Sequence, residues 1–169
     1  MKLLSIFFIA IYSTTLFAEM INIKVSKGEY FIKTQKELKI ETIELGIKCK
    51  VYNKVRFLGV PVSASEYRNE NMIPFELEKI NQSLTKATLE TSLKLEFNLN
   101  SLTSYIHACT FLVNVEASYQ GVYYTGKNLS IGDFTVNSPS DFYSSDSLSR
   151  ALSYRGLFIN KYTQKLNFQ

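Results

Sequence analysis

His107 is the only histidine in this 169-residue chain, and Cys109, one of two cysteines, lies two residues beyond it. A histidine beside a cysteine is the pair that a thiolate nucleophile requires, because the imidazole takes the thiol proton. Along a strand, however, side chains two residues apart stand roughly 7 Å apart at their bases. The thiol must also be free, and the second cysteine, Cys49, argues against that. An even cysteine count in an exported chain predicts a disulfide, and a Cys49–Cys109 bond leaves no thiolate. A serine triad would need the same His107, and no G-x-S-x-G elbow occurs.

Carboxylates are the remaining route to hydrolysis. Glu76 and Glu78, or Glu90 and Glu96, lie in phase on predicted strands and offer the raw material of a glycosidase-like pair. They alternate with apolar residues, which places them on a solvent face. Asp133, Asp141 and Asp146 do not have the spacing of a calcium loop. Two cysteines and one histidine fall short of the four ligands of a structural zinc site. The sequence therefore predicts no catalytic residue, no metal and no cofactor, with a carboxylate-based hydrolase as the residual enzymatic alternative.

Tyrosines carry more information. Tyr52 falls on the polar face of its strand, and Tyr123 and Tyr124 are consecutive, so one of them must point away from the core. Together they form the candidate binding surface. Tyr143, Tyr154 and Tyr162 lie in the Ser-rich C-terminal part. Exposed tyrosines suit protein or glycan partners, since the ring offers apolar area at low entropic cost and the hydroxyl bonds at its edge. Nucleic acid is not expected. The net charge is +4, and residues 20–60 hold nine Lys or Arg against four Glu, but these alternate rather than form a basic stripe.

These residues must be positioned in a compartment and on a frame. Lys2 precedes an uncharged, Leu/Ile/Phe-rich run from Leu3 to Ala18, and Glu19 is the first acid. A positive start, a short apolar core and a small residue at the break make residues 1–18 a signal peptide. Ser13, Thr14 and Thr15 interrupt the run, which is short for a membrane span. The expected location is exported, periplasmic or extracellular, with no membrane span after cleavage. Residues 19–169 then form one β-rich domain, long enough to bury a sizeable core. Asn81–Gln82–Ser83 and Asn128–Leu129–Ser130 match the glycosylation pattern, which matters only in a eukaryotic secretory pathway; both are read as chance matches.

The dominant periodicity is two, the signature of half-buried strands. Ile21, Ile23 and Val25 alternate with polar residues. Leu38 and Ile40 do the same until the phase slips near Glu41–Thr42, which predicts a bulge or tight turn. Ile43, Leu45, Ile47, Cys49 and Val51 then share a face. Val55–Val62 is a shorter apolar run, bent or ended by Gly59 and Pro61. Residues 63–72 read as a loop, and Pro74 demotes Ile73–Leu77 to an edge. Leu89 to Leu99 forms the most regular predicted strand. In the next long strand Cys109, Phe111, Val113, Val115, Ala117 and Tyr119 share a face, with His107 in the same phase and so aimed at the core or its rim. Val122–Thr125 and Leu129–Val136 follow as two short strands separated by a turn at Gly126–Asn128. A short helix near residues 147–155 buries Leu148 and Leu152, and Leu157–Tyr162 is a last strand.

This order predicts an all-β fold: a two-layer antiparallel β-sandwich with one short C-terminal helix, a closed barrel being the alternative. Inward-facing Cys49 and Cys109 suit a bridge across the layers. Immunoglobulin domains bridge their layers at comparable separation, but this chain has no tryptophan and has His107 where the corner tyrosine would stand. The likeness is one of architecture at most. The functional expectation is an exported, non-catalytic binding or structural module, with a carrier of an apolar small molecule or lipid as the alternative. Processing after Ala18 is the first testable consequence: intact-mass measurement of the exported protein is expected to give a chain beginning at Glu19.

Overall fold

The computed structural model describes residues 18–136, 142–143 and 145–169. The predicted leader, apart from Ala18, lies outside these residues, as does Asp141. Along the chain, β1 (Ala18–Val25) and β2 (Gly28–Thr34) precede the long β3 (Leu38–Asn53). A small hairpin of β4 (Arg56–Phe57) and β5 (Val60–Pro61) leads to β6 (Ala64–Arg68) and β7 (Ile73–Pro74). Then come β8 (Glu76–Asn81), β9 (Leu84–Leu89), β10 (Leu93–Asn100), a second long strand β11 (Ser104–Tyr119), and β12 (Val122–Phe134). The described chain finishes with β13 (Phe142–Tyr143), α1 (Ser145–Tyr154), β14 (Gly156–Asn160) and β15 (Lys165–Phe168).

The architecture is an all-β sandwich of several antiparallel sheets with one short C-terminal helix. One layer has the order β12-β11-β3-β6, with β7 also on β3. Its spine is the antiparallel pair β3–β11, each 16 residues long. The facing layer is one bent ladder. β1 pairs with β10 and β2 with β9, and the two ladders join where Val25 opposes Leu93 and Gly28 opposes Leu89. β8 extends the β9 side, while β14 and β13 add by parallel pairing to β2 and β1. Tyr67 of β6 stacks on Phe97 of β10 at 4.3 Å between centroids, one of the contacts that join the layers. α1 packs Leu148 and Leu152 into the core.

Cys49 and Cys109 form a disulfide, but not the one across the layers that the inward phase suggests. They are direct partners on adjacent strands of one sheet, with Cα atoms 4.0 Å apart. Both side chains point to the core, and in an antiparallel pair two opposed residues on one face are already the closest pair of Cβ atoms. Alternation identifies the face and is silent on which strand lies opposite.

Other departures share this origin. The predicted strand from Leu89 to Leu99 is two strands, because the chain bends at Glu90–Ser92 from one ladder to the next. Leu89 and Leu93 stay buried on either side while Thr91 is exposed, so the apolar rhythm crosses the bend almost unchanged. The two short strands after Val122 are one, since Gly126–Asn128 is a bulge: Val115 pairs with Gly126 and Val113 with Leu129. Asn128 takes φ +53° there, and its N–H donates to Asn114 Oδ1 at 3.0 Å. The polar stretch read as a loop contains β6, an edge strand with few core positions. The β8–β9 hairpin and the terminal β15 were not expected. The bulge near Glu41–Thr42 is present as predicted, with Thr42 opposite Glu116 and Ile40 opposite Ala117.

Because the disulfide closes a loop of 60 residues, replacing both cysteines by alanine is expected to cost about 4 kcal/mol of unfolding free energy. Urea denaturation of the double variant beside the oxidised wild type measures this.

Candidate functional site

At the end where β3 finishes and β11 begins, the chain leaves large apolar side chains in water. Val55, Phe57, Leu58, Val60 and Val62 on the β4–β5 hairpin, and Leu102 on the β10–β11 turn, are each 60% exposed or more. The hairpin is held at its base. Asn53 N donates to Ser63 O at 3.1 Å and Val62 N to Val55 O at 3.2 Å. Lys54 N donates to Thr103 O at 2.7 Å, and Lys54 Nζ donates to Ser101 O, tying the hairpin to the turn that carries Leu102. The apolar residues thus form one ordered surface at a single pole.

The tip carries a local backbone cost. Leu58 and Gly59 have φ of +50° and +83°, the double left-handed geometry of a type I′ turn. That turn favours Asn-Gly, since a branched apolar residue gains nothing to offset the left-handed cost of roughly 1–2 kcal/mol. The β11–β12 hairpin has the same geometry at Gln120 and Gly121, with φ of +50° and +78°. There the first position is polar, and Gln120 Nε2 donates to Glu37 Oε2 at 3.1 Å. Leu58 instead is 88% exposed.

The predicted tyrosine surface divides. Tyr52 lies beside the pole, with Tyr105 at 6.1 Å and His107 edge-on at 5.0 Å between ring centroids. Tyr123 is 79% exposed but opposes Ser118, which opposes Lys39, at the far end of β3. Thirteen residues of strand, about 40 Å, separate Lys39 from Tyr52. Tyr124 packs partly against the core. The three therefore do not form one site. Tyr154 and Tyr162 are exposed elsewhere, and Tyr143 has no described side chain.

His107 does not face the core. It is the extra residue of a bulge, since Val51 opposes Ile106 and Lys50 opposes Ala108, and it is exposed. The bulge reverses the phase that places His107 with Cys109. With Cys109 oxidised, no nucleophile pair is assembled.

Of the four carboxylates in phase on the predicted strands, Glu76, Glu90 and Glu96 are exposed and do not converge, and Glu78 meets a lysine. Glu78 and Glu29 both meet Lys86, at 2.8 and 3.4 Å. Arg68, and after it Lys48, hold the Glu66 carboxyl below the ordinary range. Beside β7, a groove of about 460 Å³ brings together Glu41, Glu44 and Glu116, a grouping that sequence spacing did not show. Each has a partner: Lys39 and Ser118 for Glu41, Asn114 for Glu44, Thr42 for Glu116. The hydrogen bonds from Lys39 and Ser118 lower the Glu41 pKa. A second open groove, about 720 Å³ between α1 and β12, is lined by Asp133, Asp146, Arg150 and Arg155, and by no histidine or cysteine. Among the described residues no three His, Cys, Asp or Glu converge as a metal site.

Against known proteins, the chain matches no family model, no curated protein and no solved structure. Leu58→Asn is expected to raise the unfolding temperature by about 2–4 °C, because Asn-Gly relieves the left-handed leucine; calorimetry of the oxidised protein checks this.

Proposed function

We propose that this chain is an exported, non-catalytic binding or structural module that acts outside the cytoplasm through its apolar pole. The observation that carries the reading is Leu58, an exposed leucine in a left-handed turn position, at the tip of a hairpin whose other large apolar side chains are also exposed. Leaving Phe57 and Leu58 in water forgoes about 1.5–3 kcal/mol for each. A contact made outside the chain restores that term. The leader-like sequence from Met1 to Ala18 and the intramolecular disulfide support export to an oxidising periplasmic or extracellular setting. The exposed His107, the oxidised cysteines and the separated, exposed strand carboxylates support a role without catalysis.

Affinity capture from the host envelope or medium tests the reading. Whatever wild type retains is expected to be lost by Phe57→Ser/Leu58→Asn and kept by Val122→Thr, which alters an exposed apolar residue at the opposite end. Equal retention by the hairpin variant and wild type would refute it.

A further inference from the structure

We infer that the partner of the apolar pole is an anionic lipid surface, into whose interface the β4–β5 hairpin inserts. The inference rests on the reading of the pole as a binding surface and adds three observations. The first is charge. No acidic residue occurs between Glu44 and Glu66 or between Glu96 and Glu116, the two stretches that build this end. Lys54 and Arg56 lie at the base of the hairpin and on it, while Lys48 and Lys50, farther along β3, have Glu66 beside them. An apolar tip backed by Lys54 and Arg56 matches acyl chains beneath anionic headgroups.

The second is where the chain enters. Ala18 pairs with Asn100, the last residue of β10, immediately before the turn that carries Leu102. The described chain therefore enters the sandwich at the same end as the hairpin. Glu19 follows at this end, and a chain cut after Ala18 sets its own α-amino group beside that carboxylate.

The third is shape. From Lys54 to Leu58 the hairpin extends about 13 Å, comparable to the depth at which amphipathic elements sit in a bilayer interface. Its backbone is paired, Arg56 with Pro61 and Phe57 with Val60, so the segment carries few orphan polar groups inward. Leu102 on the adjoining turn offers a second point of contact.

The test uses the exported, oxidised protein and vesicles of phosphatidylglycerol and phosphatidylethanolamine at about one part to three, beside phosphatidylcholine vesicles. Wild type is expected to sediment with the anionic vesicles, and Phe57→Ser/Leu58→Asn to bind them at least about tenfold more weakly. Arg56→Gln is expected to weaken that binding about fivefold. The chain has no tryptophan, so Phe57→Trp supplies a single indole whose emission should shift to the blue on the vesicles. Thermal unfolding of each variant verifies that it is folded. Absence of binding, or equal binding by wild type and Phe57→Ser/Leu58→Asn, overturns the lipid assignment. If vesicles fail while hairpin-dependent capture persists from lipid-free extracts, the partner is a protein or glycan and the binding role survives. Loss of both removes the binding role itself.

Discussion

The antiparallel pairing of β3 with β11 sets the geometry on which the other elements depend. These are the two central strands of one layer, each 16 residues long, and both present the same core-facing rhythm of Ile, Leu, Val, Phe and Cys. A one-residue slip between them would turn every one of those side chains toward water. Register is therefore strongly specified by burial, and the Cys49–Cys109 bond fixes it covalently in the middle of the ladder. β12, β6 and β7 add to the outer edges of this pair, and the bent ladder of β1/β2 with β10/β9 packs across its inner face. The bulges follow from the same requirement. Glu41 and His107 are each an extra residue absorbed so that the inward phase survives on both sides.

That mechanism explains which parts of the fold were legible in the sequence. A bulge inside one uninterrupted apolar pattern shows as a phase slip, so the one at Glu41 could be read. His107 could not, because Ile106 and Ala108 flank it with apolar side chains that hide the slip. The divided strand at Glu90–Ser92 was illegible for the opposite reason: Leu89 and Leu93 keep the phase through the bend. Edge strands such as β6 have few core positions to write a pattern with. α1 was readable because Leu148, Ala151 and Leu152 recur at three and four residues, while Arg150 breaks the alternation a strand would need.

The pole was half legible. Its residues appear in the sequence as an apolar run broken by Gly59 and Pro61, which is also how a short buried strand looks. The distinguishing signal is the shortness of the hairpin. Phe57 and Val60 are direct partners on one face, with Arg56 and Pro61 on the other, and strands of two residues cannot build a layer to cover that face. The tyrosines were identified from phase alone, and phase places them on a face without saying where along it. Tyr52 and Tyr123 therefore share the outer face of the β3 sheet yet lie at opposite ends.

The bent ladder also has a consequence in time. The first described strand, β1, takes β10 as its antiparallel partner, and Ala18 waits for Asn100. Cys49 likewise has no partner until Cys109 arrives. A chain that crosses a membrane N-terminus first would emerge with its opening strand and its central strand both unpaired for most of the passage. Such non-local pairings fold slowly, and open strand edges invite the wrong neighbour. Under the proposed export, the chain depends on β1 and β3 staying apart from other chains until the second half has followed.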